Sequence, residues 1–85
     1  GDLPTLVTFH RDVHGVVAAV AALLADRKIN IASMTLHRKA RGGLASLVAE
    51  MEMEGKPDPA LPGDVAKVHP AIVRVVPLYG RGGPS

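Results

Sequence analysis

The chain contains no cysteine and no tryptophan, and Phe9 and Tyr79 are its only aromatic residues. Without cysteine, the chain can form neither a disulfide nor a thiolate metal site. Its ten basic residues face eight acidic ones without a basic run, whereas nucleic-acid-binding proteins usually combine a basic face with stacking aromatics. No apolar stretch reaches the roughly 18 residues of a membrane span, because Asp26, Arg27 and Lys28 end the longest one. We therefore expect neither a nucleic-acid partner nor a membrane.

The length of the chain bounds its organisation. Its 85 residues make one small domain, a size at which a single hydrophobic core stabilises a fold only marginally. Small domains often gain stability from disulfides, metals or self-association, and with cysteine absent we expect self-association. The lack of cysteine also fits a reducing, cytoplasmic location. Because the chain begins with glycine instead of an initiator methionine, we expect it to be an excised or processed part of a longer protein.

Periodicity in the sequence predicts six secondary-structure elements in the order βαββαβ. Alternating, β-branched segments indicate the strands, and apolar residues at i, i+4 and i+7 indicate the first helix. The predicted elements are strand one over residues 5–10, helix one over 14–27, strand two over 29–39, strand three over 44–54, helix two over 62–68 and strand four over 71–76. We expect residues 1–78 to form the single domain and residues 79–85 to form a flexible tail.

This element order predicts the fold. With right-handed crossovers it gives a ferredoxin-like α+β sandwich, in which a four-stranded antiparallel sheet of order 4-1-3-2 carries both helices on one face. Strand two then lies at an edge and is expected to have a bulge near Ser33, where the apolar phase changes. No charge occurs from Ile29 to Leu36, so the edge lacks the usual protection against pairing. We expect a homodimer formed through strand two.

Two polar stretches indicate a ligand site. The segment His10–Gly15 lies between strand one and helix one, where unpaired backbone N–H groups and the helix dipole favour a ligand carboxylate. Asn30 begins strand two after the same helix, and it could meet that turn across a partner chain. We expect a small-molecule sensor with no catalytic residues, because no Ser-His-Asp or paired-carboxylate arrangement is present. The histidines have no metal-ligand spacing, so we expect no metal site.

Each of these residues also has a structural interpretation that the sequence leaves open. Gly15 permits a tight turn, and Asp12 is at least as suitable for capping helix one as for contacting a ligand. Asn30 is favoured where a helix ends, and a lone histidine such as His10 at a strand end is by default partly exposed. Residues 38–41 predict a solvated basic turn, or else a surface that docks onto a catalytic domain.

These motifs resemble a known family. His10-x-Asp12-x-x-Gly15-Val16, followed by a helix and Ile29-Asn30-Ile31, resembles the ACT domain, an amino-acid-binding regulatory module. The longer pattern of residues 29–43, with Ile72-x-Arg-Val75 near the end, is most similar to the C-terminal ACT domain of the iron–sulfur L-serine dehydratase in its β-subunit form. The resemblance covers residues 5–78, nearly the whole chain.

The resemblance implies that L-serine or another small amino acid binds at a dimer interface, with Asn30 contributed by the second subunit. The candidate ligand-binding residues are His10, Asp12, His14, Gly15, Val16, Asn30 and Ile31. The full-length dehydratase would convert serine to pyruvate and ammonia with a [4Fe–4S] cluster. None of the cluster's cysteines is in this chain, for which we expect no cofactor. The implied protein partner is the catalytic domain or subunit of the dehydratase.

Two alternatives accompany this interpretation: the similar ACT domain of 3-phosphoglycerate dehydrogenase, and a dimerisation module that binds no ligand. The family usually has proline before the loop glycine, where this chain has His14, which implies a less rigid loop. Asp12 would bind a ligand's ammonium well but would repel its carboxylate.

Overall fold

The elements of the fold follow the predicted order. A computed structural model describes residues 3–38, 43–53 and 55–79. Its elements are β1 (Thr5–Arg11), α1 (Val16–Asp26), β2 (Asn30–Arg38), β3 (Leu44–Glu52), α2 (Leu61–Ala66) and β4 (Ile72–Leu78). The predicted βαββαβ order is confirmed, and each predicted boundary differs from the structure by no more than two residues.

The four strands form one sheet in the order β2-β3-β1-β4, and every neighbouring pair is antiparallel. The predicted ferredoxin-like sandwich with order 4-1-3-2 is therefore confirmed, with β2 at one edge and β4 at the other. The predicted bulge in β2 is also present, because the register with β3 shifts between Ile31 and Ser33. A second irregularity lies between Phe9 and His10, where the register of β1 with β4 shifts.

The first helix buries a narrower face than its sequence pattern predicts. Val16, Val20 and Leu24 are at most 1% exposed, and their four-residue spacing aligns them along one side of α1. Val17, which follows Val16 directly, is 37% exposed, and Leu23, at the i+7 position of the apolar pattern, is only half-buried. Burial of each fully enclosed Val or Leu side chain stabilises the fold by about 1.5–3 kcal/mol, so these three residues hold α1 against the sheet.

Both helices and one face of the sheet share a single core. Its buried members are Leu6, Val16, Val20, Leu24, Leu47, Ala49, Met51, Leu61 and Val65. Met34 and Met53 lie partly buried against this cluster. Because residues from α1 and α2 meet the same sheet face, the opposite face of the sheet carries no helix among the described residues.

Tyr79 begins the predicted tail, and it packs against the core. Burial raises the pKa of its hydroxyl, which has no hydrogen-bond partner among the described residues. The other residues assigned to the tail, 80–85, lie outside the described part of the chain. No helix within the described ranges is long and apolar enough to cross a membrane.

Candidate functional site

An open cleft lies between the β1–α1 turn and the C-terminal end of β2. It has a volume of about 510 Å³. Its lining residues are His10, Asp12, Val13, His14, Gly15, Val17, Ala18, Leu36 and Arg38. The structure therefore brings together four predicted ligand-binding residues, His10, Asp12, His14 and Gly15.

The register of the sheet explains why β1 and β2 both reach this cleft. Both strands pair with β3, and Ala45 of β3 lies opposite His10 on one side and opposite Arg38 on the other. The three residues consequently form one row across the helix-bearing face of the sheet. Ala45 contributes only a methyl group between two large polar side chains. Arg38 was not predicted as a site residue, although the predicted strand order already places the ends of strands one and two on either side of strand three.

His10 is only 1% exposed, so the expectation of a partly exposed side chain was wrong. Its Nδ1 lies 2.8 Å from the carbonyl oxygen of Arg11, which can only accept a hydrogen bond. In the neutral form of the ring the proton is therefore on Nδ1, and Nε2 presents a lone pair. That buried Nε2 has no partner among the described residues. Such an orphaned group destabilises a fold by about 1–3 kcal/mol, which a ligand or water donating to Nε2 would recover.

Backbone hydrogen bonds hold the loop between β1 and α1. The N–H of Val13 donates to the carbonyl of Arg11 at 2.9 Å, and the N–H of Arg11 donates to the carbonyl of Ala71 at 3.0 Å. Helix α1 begins at Val16 and has no side-chain cap. Its first N–H groups therefore remain oriented toward the N-terminal side, where they favour negative charge.

Asp12 does not cap α1, contrary to the structural interpretation of its position. Gly15 is the N-cap residue, and the Asp12 carboxylate instead forms an ion pair in which Oδ1 lies 3.3 Å from Nε of Arg38. The side chains are 38% and 61% exposed, so water screens this pair. Arg38 is thus not merely part of a solvated turn. The rest of that predicted turn, residues 39–41, lies outside the described ranges.

Gly15 adopts a conformation that explains why glycine occupies this position. Its φ angle is +89°, and a Cβ built there would lie 3.4 Å from Nε2 of His69. The His69 ring is held in place because its Nδ1 accepts a hydrogen bond from the N–H of Ala71 at 3.0 Å. No local pattern in the sequence indicates this neighbour, because the contact joins residues far apart in the chain.

Replacing Gly15 with alanine is expected to lower the free energy of unfolding by about 1–2 kcal/mol, because a side chain makes the left-handed conformation unfavourable. The closeness of His69 adds to this effect. Urea denaturation followed by circular dichroism measures the change. Gly63→Ala is the matched control, since no heavy atom lies within 4 Å of a Cβ built at Gly63 and its φ is not positive. Equal effects of the two substitutions would contradict this account.

The other three predicted site residues lie away from the cleft in a single chain. Val16 is 1% exposed in the core, and Ile31 packs partly buried against it. Asn30 stands at the opposite end of β2, about 26 Å from Arg38 at the usual rise of a strand. The exposed Asn30 side chain donates a hydrogen bond from Nδ2 to Oε1 of Glu52 at 2.6 Å. One chain alone therefore does not place Asn30 at the cleft.

The glutamates of β3 are hydrogen-bond acceptors for the neighbouring edge strand. Besides the contact of Glu52 with Asn30, the Ser33 hydroxyl donates to Oε1 of Glu50 at 2.6 Å. Glu54, the last residue of the predicted strand three, lies outside the described residues. The two bonds orient side chains on the edge strand, at positions three residues apart.

The side chains of the described residues provide neither a metal-binding site nor a site for an iron–sulfur cluster. The described residues contain no group of three or more histidines and carboxylates placed to hold a metal ion. Because the chain has no cysteine, it cannot supply the thiolates that hold a [4Fe–4S] cluster. The cleft instead places one carboxylate, one guanidinium and two imidazoles among largely apolar residues, which suits a small charged ligand.

Comparison with known proteins assigns the chain to a family. No curated protein sequence matches it. The family model of the ACT domain matches residues 5–61, which span β1 to the first residue of α2 and more than half of the chain. This segment includes every residue that lines the cleft. The chain therefore belongs to the ACT domain family, whose members are small-molecule-binding regulatory domains.

Proposed function

We propose that this domain senses L-serine or a related small amino acid, and that it regulates an L-serine dehydratase to which it is attached. The observation that carries the proposal is the cleft at the β1–α1 turn, where a carboxylate, a guanidinium and an unpartnered imidazole nitrogen converge. A free amino acid offers the complementary groups, since it carries an ammonium and a carboxylate on the same α-carbon.

A second copy of the chain supplies the missing part of the site. ACT domains generally bind amino acids and form dimers. If two copies of β2 pair antiparallel about Met34, the middle residue of the strand, the bulge before Ser33 places Asn30 of each copy opposite His37 of the other, next to Arg38. That arrangement brings an exposed amide to the end of β2 that borders each cleft. It accounts for a site residue that lies far from the cleft within its own chain.

The charge distribution of the two sheet edges favours β2 for this pairing. The other edge strand, β4, contains Arg74 and Pro77, both of which discourage the addition of a further strand. β2 has no charged residue before its last position, Arg38. Dimerisation through β2 would also bury more of Ile31 and Met34, which a single chain leaves half-buried.

The choice of enzyme rests on the sequence resemblance to the dehydratase. A ligand that prefers one arrangement of the dimer, or one docked state of the domain, would shift the enzyme between states of different activity. Any residues that precede Gly1 in the natural protein would test this step directly. A dehydratase catalytic domain there would support the proposal, whereas a dinucleotide-binding domain would favour the phosphoglycerate dehydrogenase alternative.

Asn30→Ala is expected to weaken amino-acid binding about tenfold while the fold and the dimer persist, because one hydrogen bond to a charged ligand is lost. Isothermal titration calorimetry with L-serine, glycine and the other amino acids measures affinity, and sedimentation equilibrium measures the dimer. Ser33→Ala is the matched control, since it also removes a 2.6 Å hydrogen bond from β2 to a glutamate of β3. It should leave affinity unchanged.

Two results would contradict the proposal in different ways. Unchanged affinity in Asn30→Ala would remove Asn30 from the site. If the unaltered chain binds no amino acid up to millimolar concentrations, the sensor function fails and a dimerisation module without a ligand remains.

A further inference from the structure

We infer that Arg38 is a specificity-determining residue of the cleft, and that Asp12 and Arg38 together form a charge clamp selecting ligands that carry both an ammonium and a carboxylate. The inference rests on the proposed amino-acid-sensing function and deepens it. The clamp requires a zwitterion, so it excludes simple carboxylic acids, amines, amino-acid amides and N-acylated amino acids.

The position of Arg38 supports a direct role in ligand binding. It lies in the same row of the sheet as His10, separated from it only by Ala45, and it lines the cleft together with Asp12. A guanidinium binds a carboxylate through two parallel hydrogen bonds, which fixes the orientation of the ligand. The first turn of α1, which has no side-chain cap, also favours the carboxylate end.

The opposite end of the ligand has its own partners. The Asp12 carboxylate attracts an ammonium, and the lone pair on Nε2 of His10 accepts a hydrogen bond from an ammonium or a hydroxyl. His10 is nine-tenths buried or more, lines the cleft, and leaves this acceptor without a partner among the described residues. The orphaned nitrogen is an observation independent of the ion pair, and it points to a donor on the ligand.

The ion pair itself is suited to being opened. With side chains 38% and 61% exposed, Asp12 and Arg38 are well solvated, and exposed pairs of this kind are weakly held. A bound zwitterion replaces the single contact with two, an ammonium against Asp12 and a carboxylate against Arg38. A ligand with one charge would satisfy one partner and leave the other without its counter-charge. The discrimination therefore needs both residues.

Calorimetric titration of the 85-residue chain with three probes tests the clamp: L-serine, L-serinamide, which lacks the carboxylate, and N-acetyl-L-serine, which lacks the ammonium. We expect the unaltered chain to prefer L-serine over each analogue by about tenfold or more. Arg38→Gln should abolish the preference over L-serinamide, and Asp12→Asn should abolish the preference over N-acetyl-L-serine. Arg27→Gln is the control, because it breaks the exposed ion pair of Arg27 with Asp64 outside the cleft.

Each result has a defined meaning. The clamp is supported if Arg38→Gln loses the preference over L-serinamide and Asp12→Asn loses the preference over N-acetyl-L-serine. Arg27→Gln should keep both preferences. A preference for L-serine that survives Arg38→Gln overturns this inference while the amino-acid-sensing function stands. The absence of L-serine binding to the unaltered chain overturns the proposed function and the clamp together. A general loss of affinity for all three probes, with the preferences intact, would show a merely structural role and would also overturn the clamp.

Discussion

Replacing Leu24 with alanine is expected to lower the free energy of unfolding by about 2–5 kcal/mol. Leu24 is 0% exposed and is the last of the three buried residues on α1. Its truncation removes apolar contacts and leaves a cavity, because the close-packed core relaxes only partly. Small domains are typically stable by about 5–15 kcal/mol, so this single change removes a large share of the total.

Leu78→Ala is the matched control for Leu24→Ala. The chemical change is the same, but Leu78 is 53% exposed near the end of the edge strand β4, so we expect an effect several times smaller. Chemical denaturation measures both variants, and the protein concentration must be held fixed because dimerisation contributes to apparent stability. If the free energy of unfolding falls by similar amounts in the two variants, the three buried residues of α1 do not hold the helix against the sheet.

The sequence predicts the fold well because its patterns report burial directly. In β3 the alternation of apolar and acidic residues matches the side chains that face the core and those that face away, so Met51 is buried and Glu52 is exposed. The phase change in β2 locates the bulge between Ile31 and Ser33. These signals are local in the chain, and the β–α–β–β–α–β order with right-handed connections then leaves few possible topologies.

The site is harder to predict from the sequence than the fold, because it depends on contacts between residues that are distant in the chain. The pairing of Asp12 with Arg38 follows from a sheet register, and the position of His69 beside Gly15 follows from the path of the chain after α2. Neither partner carries a local signal. Burial of His10 was also missed, although strand alternation with the buried Leu6 and Thr8 predicts that its side chain faces the core.

Asn30 shows what the sequence predicts, what the structure of one chain adds, and what depends on a second chain. The sequence places it at the start of strand two, and the structure shows an exposed amide bonded to Glu52 and remote from the cleft. What links it to the cleft is the symmetry of a pair of chains. The pairing of β2 with a second copy is therefore the step on which the complete site depends.

Thr35→Lys is expected to weaken the dimer about thirtyfold. Thr35 is exposed on β2 and lies opposite Val48, on the sheet face that carries no helix among the described residues. In an antiparallel pair centred on Met34, the two copies of residue 35 lie diagonally about 7–8 Å apart. Two ammonium groups at that distance repel by about 2 kcal/mol at an effective dielectric constant of about 20, which corresponds to the stated change in dissociation constant. Ile31 is a less clean position for the same test, since it packs against the core.

Sedimentation equilibrium at low and high salt measures this effect and its electrostatic origin. Salt at molar concentration shortens the screening length to about 3 Å, so it should restore much of the lost affinity in Thr35→Lys. Val73→Lys is the matched control on the other edge, because Val73 lies on β4 and is 61% exposed. A dimer that resists Thr35→Lys but dissociates in Val73→Lys would place the pairing on β4. Asn30 would then have no route to the cleft of a second chain, and the binding site would have to be completed by residues of a single copy.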